Sequence, residues 1–111
     1  MFVTVCTYRA RAGEEDAVIA LHEDWERNRR GQASGYLSGE LLNDVRDPQA
    51  FTTIARFESR AAARTLAEDP EQIAWYRRLA SLAETEPTFT YYHNAWPAGC
   101  QDEHALYAQR R

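Results

Sequence analysis

Lysine is absent from this 111-residue chain, and all thirteen basic residues are arginine. Without a side-chain amine the protein cannot form a Schiff base or hold a pyridoxal cofactor covalently. Cysteine is almost as scarce: Cys6 and Cys100 stand at opposite ends of the chain, too few for a disulfide framework, so both are read as reduced thiols. The five glycines form no GxGxxG and no P-loop, so nothing points to a nucleotide or flavin. No apolar run approaches the ~20 residues of a membrane span. Phe2-Val3-Thr4-Val5 follows the first residue without the basic segment that opens a secretory leader. A cytoplasmic protein is expected. Excess positive charge is lacking too. Net charge is −4, with the arginines scattered among more numerous acids, which argues against a nucleic-acid partner, since that needs a basic stripe. Cys100 and His104 have a spacing that two metal ligands on a helix could use, but no second pair of ligands accompanies them. No metal site is expected.

What the chain does contain is one domain's worth of amphipathic pattern, with 44% hydrophobic residues. Phe2 to Arg9 is rich in β-branched and aromatic residues and reads as a strand. Gly13 ends the following loop, and Glu14-Glu15-Asp16 place negative charge in the first turn of a helix. Ala17, Val18, Leu21, Trp25 and Asn28 recur at helical spacing as far as Arg29-Arg30. Tyr36 to Asp44 reads as a second strand, Asp47-Pro48 as a turn, and Phe51 to Glu58 as a third strand. Ser59 is placed to cap a helix over Arg60 to Glu68. Asp69-Pro70, a cap followed by proline at the first helical position, starts another helix that runs to about Ala83. Pro87 ends it, and Phe89 to Trp96 reads as a fourth strand. The domain spans residues 1–97, and 98–111 form a polar C-terminal tail.

Strand, helix, strand, strand, helix pair, strand is the order of a split βαβ unit: an α+β, ferredoxin-like βαββαβ fold with a four-stranded antiparallel sheet. Its helices cover one face only. In the third strand Phe51, Thr53, Ala55 and Phe57 share one face, and Thr52, Ile54, Arg56 and Glu58 the other. The second face, expected to hold Ile54, Arg56 and several tyrosines, needs cover, and a second copy of the sheet would supply it. A homodimer is therefore expected, and the surplus of aromatic residues suits such an interface.

With those elements in place the sequence resembles the antibiotic biosynthesis monooxygenase family, whose members are dimeric α+β barrels. The resemblance spans about residues 2–96. It rests on Arg11-Ala12-Gly13-Glu14-Glu15-Asp16 and Trp25, on Gly35 to Leu42, on Ala55-Arg56-Phe57-Glu58-Ser59-Arg60, and on Asp69-Pro70-Glu71 with Trp75. It implies a pocket between the sheet and its own helices. That pocket would be lined by Thr4, Cys6 and Tyr8 from the first strand, Thr53 and Phe57 from the third, His22 and Trp25 from the first helix, and Tyr76 or Arg77 from the last. The family's haem-degrading members use an asparagine, a tryptophan and a histidine where this chain has Cys6, Phe57 and Ala67, so haem chemistry of that kind is not expected. Its polyketide-oxidising members carry an asparagine and a tryptophan on the third strand, where this chain has Thr53 and Phe57.

The resemblance implies a small cofactor-independent monooxygenase acting on an aromatic polyketide or quinol-like substrate in secondary metabolism. Such a reaction asks the protein to hold an electron-rich phenol or enol dry, take its proton, and stabilise the anion. His22, Arg77 and His93 are the candidate catalytic groups. Cys6, Tyr8, Trp25, Thr53, Phe57, Tyr76 and Tyr91 are the candidate substrate contacts. Each has a plainer role beside the chemical one. His22 could be solvated or packing, Arg77 could form a surface ion pair, Trp25 and Trp75 could be core, and Cys6 could be a small buried hydrophobe. Two other functions use the same fold: a polyketide cyclase or isomerase that moves protons without oxygen, and a non-catalytic dimer that binds a small apolar or aromatic molecule.

Overall fold

The structure is a computed structural model that describes residues 1–96; the expected polar tail, with Cys100 and His104, lies outside the described residues. The elements run β1 (Phe2–Arg9), α1 (Glu15–Asn28), a 3-10 turn (Arg30–Gln32), β2 (Tyr36–Asn43), β3 (Ala50–Phe57), α2 (Arg60–Glu68), α3 (Pro70–Leu82) and β4 (Thr88–His93). The sheet is antiparallel throughout, in the order β2-β3-β1-β4. This is the α+β, ferredoxin-like arrangement.

Local chemistry sets most of the boundaries. Ser59 caps α2, its hydroxyl accepting from the Ala62 N–H at 3.1 Å, and Asp69 caps α3 by accepting from Glu71 N–H at 3.0 Å, with Pro70 at the first helical position. Gly35, at φ +81°, turns the chain into β2 where α2 passes close by. The fourth strand ends at His93 rather than Trp96, because β1, its one partner among the described residues, begins at Phe2 opposite His93.

The helices lie on one face of the sheet. α1 and α3 run antiparallel and are joined at three levels. Leu21 C=O accepts from the Trp75 indole N–H at 3.1 Å, and the Trp25 indole N–H donates to Gln72 Oε1 at 2.6 Å. At the end of α1, the guanidinium of Arg29 holds Asp69 at 2.7 Å and also pairs with Glu71. Trp25 and Trp75 are buried with Cys6, Tyr8, Val18, Phe51 and Leu79 in the core. On the opposite face Val3, Val5, Ile54, Leu42 and Tyr92 have no helix over them, as the cross-strand pairs place them. The expected group of tyrosines there reduces to Tyr92. Tyr8 and Tyr91 pair with Phe51 and Thr4, on the helix-facing side, and Tyr36 packs against Trp25 and Phe57 there. Arg56 on the open face is already paired with Glu40 of the same chain at 2.7 Å.

Candidate functional site

The helix-facing side of the sheet is made of cross-strand rows. Leu41, Thr53, Cys6 and Phe89 form one row, and Gly39, Ala55, Thr4 and Tyr91 form the next. The strands at the centre of these rows carry small side chains, whereas Phe51 and Tyr8 close one end and Phe57 and Phe2 the other. Helices resting on the large residues cannot reach the small ones between them. A cavity of about 1110 Å³ is left, roofed by α1, α2 and α3 and bordered by Trp25, Phe51, Phe57 and Trp75. Its size matches small-molecule sites, which commonly run to about 1,000 Å³.

One polar constellation stands in this mostly apolar wall. His22 donates its Nδ1–H to the backbone carbonyl of Val18 at 2.9 Å, one helical turn back. In the neutral ring that leaves the lone pair on Nε2, which lies 3.2 Å from Thr53 Oγ1 and 3.3 Å from the Tyr8 hydroxyl. Tyr8 and Thr53 are 3.2 Å apart. Two hydroxyl protons and one imidazole lone pair satisfy this triangle when Tyr8 donates to Thr53 and Thr53 donates to His22. The imidazole meets Trp75 edge to face, 5.1 Å between centroids and 84° between planes, so packing holds the ring alongside the hydrogen bonds.

Burial sets the charge states. Desolvation lowers the His22 pKa from its usual value, partly opposed by the bond to Val18, so the ring is neutral at pH 7. Desolvation raises that of Tyr8, which keeps its proton. The Cys6 thiol is pushed up to about 12 by burial alone and is no nucleophile at neutral pH. The constellation therefore offers a neutral base backed by hydroxyls at a mostly apolar wall.

Seven of the ten candidate residues border the cavity: His22, Cys6, Trp25, Thr53, Phe57, Tyr76 and Tyr91. Tyr8 sits behind Thr53 and His22 and touches the site through its hydroxyl. Arg77 and His93 do not border it. Arg77 is exposed two residues after Trp75, on a different side of α3, and His93 is exposed at the end of the edge strand β4. The indoles of Trp25 and Trp75 border the cavity, but both N–H groups are spent on the α1–α3 contact. Their polar atoms are not available to a ligand. Sequence reasoning missed Arg60 and Arg64, which border the cavity from α2; their spacing of four was the signal, since it puts both on one helix face.

Comparison with solved structures places the architecture among known ones. A protein of Mycobacterium tuberculosis, Rv0793, superposes with a TM-score of 0.76 at 16% identity, over 88% of this chain and 98% of that one. A Nitrosomonas europaea protein named for antibiotic biosynthesis monooxygenases gives 0.74 at 16% identity, over 86% of this chain and 100% of that one. A variant of SnoaB, a cofactor-independent oxygenase from Streptomyces nogalater, gives 0.70 at 15% identity, over 88% and 96%. At these identities the likeness is one of fold. No protein of curated function matches the sequence. Residues 1–78 match the family described as antibiotic biosynthesis monooxygenase, so the chain belongs to the antibiotic biosynthesis monooxygenase family.

Proposed function

We propose that the cavity is the active site of a cofactor-independent monooxygenase acting on an aromatic polyketide or quinol-like substrate. The observation that carries this reading is His22, neutral and fixed in one tautomer, with Nε2 turned toward Thr53 at the wall of an aromatic-lined cavity. A phenolic or enolic O–H lying against Thr53 would lose its proton to His22, directly or through the Thr53 hydroxyl. The substrate anion, electron-rich and shielded from water, would then give an electron pair to oxygen and form a C–O bond at the activated carbon. Loss of water from the resulting substrate hydroperoxide leaves a carbonyl, so one oxygen atom stays with the product and the other departs as water. The His22 proton goes first to the peroxide oxygen; His22 then takes the remaining proton of that carbon as hydroxide leaves and passes it to the hydroxide, which departs as water. This scheme assigns no step to Arg77 or His93.

The test is oxygen uptake with a panel of anthrones and quinols, metals chelated, for the wild type and His22→Gln. Uptake above the no-enzyme rate, lost in the variant, supports the reading; uptake at the no-enzyme rate across the panel overturns it. Turnover that is equal with and without oxygen would instead identify the proton-moving isomerase or cyclase, which the same His22 geometry could serve.

The uncovered sheet face supports a homodimer. Val3, Val5 and Ile54 at its centre are apolar, and Leu42 and Tyr92 are 44% and 53% exposed. Light scattering at micromolar concentration should give twice the chain mass; a stable monomer would count against the dimer while leaving the cavity untouched.

A further inference from the structure

One side of the cavity carries a row of aromatic rings that continues across one helix and two strands, α3, β4 and β1. Tyr76 on α3 meets Phe89 at 5.6 Å between centroids, Phe89 meets Tyr91 at 6.3 Å, and Tyr91 meets Phe2 at 6.0 Å. Phe89 and Tyr91 are 42% and 59% exposed, an unusual outlay of apolar surface unless something covers it. At the far end of the row the guanidinium of Arg60 stands 5.4 Å from the centre of the Phe2 ring. Arg64 follows one helical turn later, and both border the cavity.

Among the described residues no acid pairs with these two arginines. Arg9, Arg29, Arg30 and Arg56 each form an ion pair; Arg60 and Arg64, like Arg11, Arg27, Arg46, Arg77 and Arg78, have none with a described residue, but among these only Arg60 and Arg64 border the cavity. The acids at the cavity border do not answer them. Glu26 is held by Arg30 and Glu40 by Arg56, and Glu23 is on α1. Two guanidiniums without an acid partner among the described residues, at the end of an exposed aromatic row, are suited to a planar anion, because guanidinium matches carboxylate geometry and stacks well on rings.

We propose that Arg60 and Arg64 bind the carboxylate of a flat aromatic acid whose rings lie along Tyr76, Phe89, Tyr91 and Phe2. This deepens the proposed function by naming the substrate class, and it rests on that reading only in taking the cavity as an aromatic-binding site. The spacing also orients the ligand. Thr53 and Phe57 are four residues apart on β3, about 13 Å along the strand, and Phe57 pairs with Phe2 beneath Arg60. A ligand anchored at Arg60 thus needs several fused rings to bring its reactive hydroxyl to Thr53 and His22.

The experiment measures binding of anthracene-2-carboxylate and of its neutral carboxamide by ligand fluorescence at pH 8. The proteins are the wild type, Arg60→Gln/Arg64→Gln, Arg60→Lys/Arg64→Lys, and Arg77→Gln as a cation outside the cavity. The wild type should bind the carboxylate at least tenfold more tightly than the carboxamide. The double glutamine variant should bind both alike, the double lysine variant should keep part of the preference, and Arg77→Gln should keep all of it. Thermal melting of each protein confirms that it is folded, which exposed sites on α2 should permit. Equal binding of the two probes to the wild type, or a preference that survives in the glutamine variant, overturns the anion site while leaving the aromatic cavity standing. Failure of both probes to bind the wild type up to their solubility overturns the cavity reading, and the anion site with it.

Discussion

His22 gives its Nδ1 proton to Val18 and leaves Nε2 between two hydroxyls, so replacing the ring removes both a base and a buried polar junction. His22→Gln should lower the oxygenation rate roughly 10²–10⁴-fold, the usual worth of a positioned general base, with a smaller effect on KM. The ring also leaves a mark on stability. In the unfolded chain a histidine titrates near about 6.5, and burial moves the folded value below that. Above the unfolded value the ring is neutral in both states and its contribution is fully present. As pH falls below it the unfolded chain binds the proton first, and stability declines until pH passes the folded value. Cys6 and Tyr8 are shifted upward and hold their protons throughout this window. Urea unfolding between pH 7.5 and 5 should therefore show a shallower decline for His22→Gln than for the wild type. Equal slopes would mean that the ring is already wet. The chemical character of this residue was legible in the sequence, but its partners were not. Tyr8 and Thr53 are 14 and 31 residues away, and only the β1–β3 register brings them together.

Among the elements, those whose ends carry their own hydrogen-bonding chemistry could be read directly. Ser59 and Asp69-Pro70 announce α2 and α3, and both caps form with the expected residues. The edge strand was harder: Phe89 to Trp96 is heavy in aromatic residues, and the alternation that would reveal a face is hidden when both faces carry rings. Pairing settles it, with Tyr91 opposite Thr4 and His93 opposite Phe2. Ser59→Ala should cost about 1 kcal/mol, the usual worth of a cap. Gly35→Ala should cost more, roughly 1–3 kcal/mol from the left-handed backbone alone, because its new Cβ would also lie 2.5 Å from the Cβ of Ala62. Urea midpoints of the two variants give the order. A Gly35→Ala protein as stable as the wild type would show that the turn and α2 shift apart without penalty.

For the whole molecule, the question is why a chain this small leaves about 1110 Å³ unfilled. The sequence held the answer in a form that is easy to overlook: Thr4, Cys6, Thr53 and Ala55 are small residues at alternate positions of two strands, and alternation places them on one face. Only the register shows that they are also neighbours, with Thr4 opposite Ala55 and Cys6 opposite Thr53. A core optimised for stability would fill that space, since interiors pack densely. Ala55→Phe tests whether the space is kept for a ligand. A phenylalanine entering an open cavity gains apolar burial worth up to about 3 kcal/mol. One forced into a packed core instead loses roughly 1–3 kcal/mol through strain. The variant is expected to melt at or above the wild-type temperature, to bind neither anthracene probe, and to show no oxygen uptake. Unchanged melting with lost binding would mean that the cavity is held open at no benefit to the fold, as a substrate site requires. A lower melting temperature with binding intact would mean that the new ring points away from the cavity, and that the aromatic ligand is held elsewhere.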